Sequence, residues 1–101
     1  MNKQDILDRI CLVQAVPQAV FDLHLEGTVR ELTVRYGEKY TYEQGQIPLK
    51  DAYEDAVHMG ILYRLTKDEG YGEQYRRLAE SAFVCVWRRL EAERRERSVS
   101  K

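Results

Sequence analysis

The chain can be divided by the spacing of its apolar positions. In "MNKQDILDRICLVQAV" Ile6, Ile10 and Val13 recur at intervals of four and three, with Leu7 beside them. That is the period of one helix face, and Asn2 can cap such a helix whose first turn holds Asp5. The spacing predicts a helix over residues 3–15. Pro17 then disfavours helical backbone at Val16 but suits the first turn of a new helix, so the chain should bend there.

The stretch "VFDLHLEGTVRELTVRYGEKYTYEQG" fits two templates. At helical spacing Phe21, Leu25, Val29, Leu32, Tyr36 and Tyr40 form a single stripe. At period two, Phe21, Leu23 and Leu25, then Leu32, Val34 and Tyr36, then Tyr40 and Tyr42 alternate as strands do, and "YGEKY" becomes a hairpin turn. Gly27, Thr33 and Val34 weaken the helix by propensity, yet six positions in one stripe are hard to obtain by accident. We take the helix, with a hairpin within residues 20–44 as the alternative.

Gly45 and Pro48 break the chain. "PLKDAYEDAVHMGILYRLTK" then has proline at its start, acids early and basic residues late, as a helix prefers. Its inward face is expected to hold Leu49, Ala52, Tyr53, Ala56, Gly60 and Tyr63, with Ala52, Ala56 and Gly60 forming a small-residue strip suited to close packing. "DEGYG" should supply a turn, with the last helix starting near Glu73. Tyr75, Leu78, Ala79, Ala82, Phe83, Val86 and Leu90 fall on one side of that helix. A connection this short makes the last two helices antiparallel neighbours. The expected fold is all-α, a small bundle of about four helices with an antiparallel C-terminal helical hairpin. It forms one domain over residues 1–101, its last few residues frayed; the alternative is α+β.

The last two helices carry more apolar residues than one face holds. On a wheel of about 100° per residue, Val84 and Trp87 in "FVCVWRRLEAERRERS" project away from the core stripe. Ile61, Leu62 and Leu65 likewise point away from the Ala52/Gly60 face. A helix apolar nearly all round is central in its domain or shared with a second chain, and a domain this small has little room for a central helix. Two accounts follow: a homodimer with a partner surface at Val84 and Trp87, or cover from the first helix and the ambiguous segment.

Composition fits this picture. With 101 residues, 44% hydrophobic and 33% charged, the chain can fold as one small domain. Its formal net charge of -1 offers polyanions no long-range attraction, so nucleic acid could bind only a local patch. Cys11 and Cys85 lie in apolar runs and read as small buried residues in a reducing compartment. Acids interrupt what would be the apolar core of a leader, and no apolar run nears the ~20 residues that span a bilayer, which points to a soluble cytoplasmic protein.

Between Arg88 and Arg97 stand five arginines and three glutamates, with Glu91 four before Arg95 and Glu93 four before Arg97. Such pairs make a solvated helix end. Arg76, Arg77, Arg88 and Arg89 could still line up as a basic stripe. "TVRELTVRYG", residues 28–37, resembles the first helix and turn of the bacterial helix-turn-helix pattern. The resemblance would have Thr28 capping, Leu32 and Tyr36 facing the core and Gly37 turning. It covers about a tenth of the chain. Beyond Gly37, Glu38 is acidic at the turn and Gly45 and Pro48 cut a recognition helix short, so no base-contacting residue is carried over.

Candidate chemistry is thin. His24 and His58 are isolated, no segment has metal-ligand spacing, and there is no phosphate loop or nucleophile elbow. Neither metal, cofactor nor catalysis is expected, and both histidines read as surface or half-buried. Of the seven tyrosines, Tyr53, Tyr63 and Tyr75 read as core, while Tyr40, Tyr42 and Tyr71 read as partner contacts. The functional expectation is a non-enzymatic protein-interaction module, an adaptor or inhibitor of the kind encoded by phage or other mobile elements and acting on a host protein. Its partner-binding residues would be Tyr40, Tyr42, Tyr71, Val84 and Trp87. The alternative is a dimeric DNA-binding regulator using Arg76, Arg77, Arg88 and Arg89.

Overall fold

A computed structural model describes residues 2–36 and 51–99, without the side chains of Tyr36, Ser98 and Val99. Four helices run in chain order as α1 (Lys3–Val13), α2 (Gln18–Tyr36), α3 (Glu54–Thr66) and α4 (Glu69–Val99), with a 3-10 turn at Asp51–Tyr53 leading into α3. No strand occurs among the described residues. The fold is an all-α bundle, and the α+β alternative is not supported.

The N-terminal expectation survives nearly unchanged. The Asn2 side-chain oxygen accepts from Gln4 N at 2.7 Å, satisfying one of the amides that a helix start leaves without a partner. α1 buries Ile6, Leu7 and Ile10. After the break at Gln14–Pro17, α2 opens with Phe21 N donating to Pro17 O at 3.0 Å.

Burial settles the described part of the ambiguous segment, through Tyr36, as a helix. Phe21, Leu25, Thr28 and Leu32, at helical spacing, are buried, whereas Leu23 and Val34, which strand alternation groups with buried neighbours, face outward. The wheel did not single out Thr28. It is not a cap, as the helix-turn-helix resemblance implied, because α2 begins ten residues earlier and Thr28 is fully buried within it. Its hydroxyl donates to the His24 carbonyl at 2.8 Å, the local bond that lets a threonine sit inside a helix. The part of that resemblance beyond Tyr36 lies outside the described residues, as do Tyr40, Tyr42, Leu49 and the helix start expected at Pro48.

α3 and α4 form the antiparallel hairpin. The approaches of Gly60 to Tyr75 and of Gly72 to Tyr63 show the opposed directions, one number falling as the other rises. The turn is not built by glycines. Lys67 takes the left-handed conformation at φ 60°, its amide donating to Tyr63 O at 2.7 Å. Asp68 then caps α4 by accepting from Gly70 N at 2.8 Å. Gly70 and Gly72 are therefore inside α4, which starts at Glu69 rather than near Glu73. An aspartate at an N-cap outranks glycines that a helix can absorb at roughly 1 kcal/mol each.

α3 is the central helix, against the expectation that a domain this small has little room for one. It touches α1, α2 and α4. Ile61 and Leu62 are 0% and 1% exposed and Leu65 is half-buried, so their outward projection from the Ala56/Gly60 face is met by other helices of the same chain. Gly60 marks the crossing. A Cβ there would lie 2.7 Å from Thr28 Cγ2 and 2.9 Å from Tyr75 Cε1, so α2, α3 and α4 meet at a point with no space for a methyl group. Ala52, expected in the same strip, is exposed in the 3-10 turn.

Candidate partner-binding face of the last helix

α4 is longer than the body it packs on. Its buried residues Tyr75, Ala79, Ala82 and Val86 cover α3 and the 3-10 turn, and the helix runs on from Val86 to Val99. On this overhang the side chains follow the helical period, but among the described residues none from Trp87 to Arg97 is buried. Leu90, which lies near the core stripe by spacing, is 46% exposed for that reason. Val84 and Trp87 are 37% and 54% exposed, so both project from the core stripe as the wheel predicts. Three large apolar side chains thus stand on one side of α4 within two turns. An open depression of about 360 Å³ lies against Trp87, Arg88, Glu91, Ala92 and Arg95. All five belong to one helix, so it is a surface concavity rather than an enclosed pocket.

Tyr71, the remaining partner-contact candidate among the described residues, does not join this face. Tyr71 is half-buried against the core in the first turns of α4, about 24 Å along the helix from Trp87. Tyr53 and Tyr75 are core residues as expected, and the Tyr63 hydroxyl reaches Glu69 Oε1 at 3.4 Å.

Arg76, Arg77, Arg88 and Arg89 are all exposed but do not form one stripe. At about 100° per residue only Arg77 and Arg88 share a direction, while Arg76 and Arg89 lie on either side. Arg76 also stands 3.8 Å from Glu69, and Glu91 with its partner Arg95, 3.8 Å apart, sits beside Arg88. Among the described residues Arg77 and Arg88 have no ion-pair partner.

Elsewhere, polar side chains join the helices. Arg9 on α1 donates to Asp55 Oδ1 at 3.1 Å, lies 3.9 Å from Glu54, and has Nη2 3.5 Å from His58 Nδ1. His58 is buried, deeper than expected, because α1 closes over α3 there. Burial first, and Arg9 second, hold its imidazole below the usual range, with Asp55 opposing. Burial, Arg64 and Lys67 lower His24. No group of three or more metal-ligating side chains occurs among the described residues. Both cysteines are free and exposed, against the expectation of buried thiols. Cys11 follows the buried Ile10 by about 100° of helix rotation, and Cys85 precedes the buried Val86 by the same step, which turns each outward.

No helix among the described residues is long and apolar enough to cross a membrane. Compared with known proteins, the chain matches no family model, no curated protein and no solved structure. The chemistry of the α4 face is therefore read from its own residues.

Proposed function

We propose that this chain is a non-enzymatic protein-interaction module of adaptor or inhibitor type, which docks on another protein through the outer face of α4 around Val84 and Trp87. The observation that carries the reading is Trp87: an indole 54% exposed, flanked by Val84 and Leu90, on a helix that outruns its own core. Covering the rest of that indole would contribute roughly 2–3 kcal/mol, and aromatic anchors of this kind dominate protein interfaces. Small size and sparse chemistry suit a protein of phage or another mobile element acting on a host protein.

Affinity capture of partners with and without nuclease, repeated with Trp87→Ala, tests the proposal. The expected result is a nuclease-resistant partner lost with the indole. Binding that vanishes with nuclease, falls steeply between low and physiological salt, and disappears in Arg77→Glu/Arg88→Glu would replace it with DNA recognition.

A further inference from the structure

We infer that, while the other protein is absent, this α4 face is covered by a second copy of the chain, seated antiparallel about a two-fold axis through Trp87, in a dimer that opens when the chain docks. The inference rests on the proposed docking role of α4 and goes further by naming the occupant and its register.

The argument is one of self-complementarity. Glu80, Trp87 and Arg94 stand seven apart, and so do Phe83 and Leu90. A seven-residue repeat keeps one seam facing a partner helix through a shallow left-handed crossing of about 20°. Reversing the helix about Trp87 sets indole beside indole and Val84 across from Leu90 of the other copy, twice. It also sets Glu80 across from Arg94 of the other copy, again twice. The three exposed apolar side chains, Val84, Trp87 and Leu90, thus form the centre. Opposite charges close both ends. An isologous contact requires this order, apolar in the middle with each anion meeting a cation under reversal. Arg76, Glu80, Val84, Trp87, Leu90 and Arg94 are all exposed in a single subunit, and Phe83 lies half-buried against the core at the edge of the face. A parallel pair would place Glu80 on Glu80 and Arg94 on Arg94, which selects the antiparallel arrangement.

Charge reversal across copies provides the test, because Glu80 and Arg94 are exposed and their substitution leaves the core intact. Light scattering after size exclusion should show twice the 11.9 kDa chain mass at high micromolar concentration. Trp87→Ala should weaken the dimer by roughly thirtyfold or more. Glu80→Arg alone and Arg94→Glu alone should each weaken it by about tenfold, and mixing the two singles should restore a heterodimer in which every end pair is attractive again. Circular dichroism of each variant checks that the helices persist.

A chain that stays monomeric, a dimer indifferent to Trp87, or singles that do not recover on mixing would each overturn the inference. A monomer that still captures a different protein through Trp87 retains the docking role and rejects only the second copy. A monomer with salt-steep, nuclease-sensitive binding rejects both.

Discussion

The Tyr75 hydroxyl on α4 donates to Glu31 Oε1 on α2 across 2.9 Å, and Arg64 on α3 reaches the other oxygen of the same carboxylate at 3.0 Å. One glutamate thereby ties three helices beside the crossing at Gly60. Tyr75 is buried, whereas Arg64 and Glu31 are partly solvated, so the tyrosine bond carries more of the stability than the ion pair. Tyr75→Phe should cost about 1 kcal/mol in urea denaturation, and Glu31→Gln less. In combination the two should fall short of additivity, since they share one contact.

Gly60→Ala and Gly27→Ala should move stability in opposite directions. The Gly60 Cβ meets Thr28 and the Tyr75 ring under 3.0 Å, both held by other helices, so overpacking of about 1–3 kcal/mol outweighs the gain in helix propensity. The three atoms nearest a Gly27 Cβ all belong to the guanidinium end of Arg64, which can swing aside. That substitution should be neutral or stabilise by up to about 1 kcal/mol. Thermal melts of the two single variants check the pair.

Stability should fall as the pH drops below about 6.5, the usual imidazole value. His58 and His24 are both held below it, so the folded protein takes up their protons less readily than the unfolded chain. The contribution is complete above that value and lost toward the lower folded-state pKa. For His58 the folded state also places the donor-only Arg9 against Nδ1, with Arg9 facing Glu54 and Asp55. Chemical denaturation at pH 7.5 and pH 5.5 should show the loss, and it should shrink in His58→Gln. An unchanged slope in that variant would remove His58 as its source.

The apolar excess of α3 and that of α4 should behave differently on truncation. Leu62→Ala, in the packed hub, is expected to cost about 2–5 kcal/mol. Trp87→Ala, half outside the core, should cost the isolated subunit under about 1 kcal/mol at a concentration where it is monomeric, and show its effect in binding instead. Equal losses in the two variants would place Trp87 in the core.

Cys11 and Cys85 should both react with a thiol reagent in the native protein, two equivalents per chain at rates close to those in denaturant. A protected thiol would restore the buried reading for that position.

The elements were largely legible in the residues, because periodicity and caps are local. Asn2 caps α1, Pro17 separates two helices, and Phe21, Leu25 and Leu32 already share a stripe without knowledge of any neighbour. The outward direction of Val84 and Trp87 was legible for the same reason, since it depends only on rotation along one helix. The hairpin turn was misread where two local signals competed: Asp68 as a cap and Lys67 in a left-handed conformation prevailed over Gly70 and Gly72.

The tertiary structure decided which apolar faces are covered, because coverage is a property of the neighbour and leaves no mark in the period of the helix itself. Ile61 and Leu62 carry the same pattern as Val84 and Trp87 and met the opposite fate, since α3 is enclosed by α1, α2 and α4 while α4 runs past its neighbours. It also decided that Gly60 is a three-helix crossing and that both thiols face outward. Each depends on distances between segments far apart in the chain, whereas the sequence by itself determined the helices and the directions in which their side chains point.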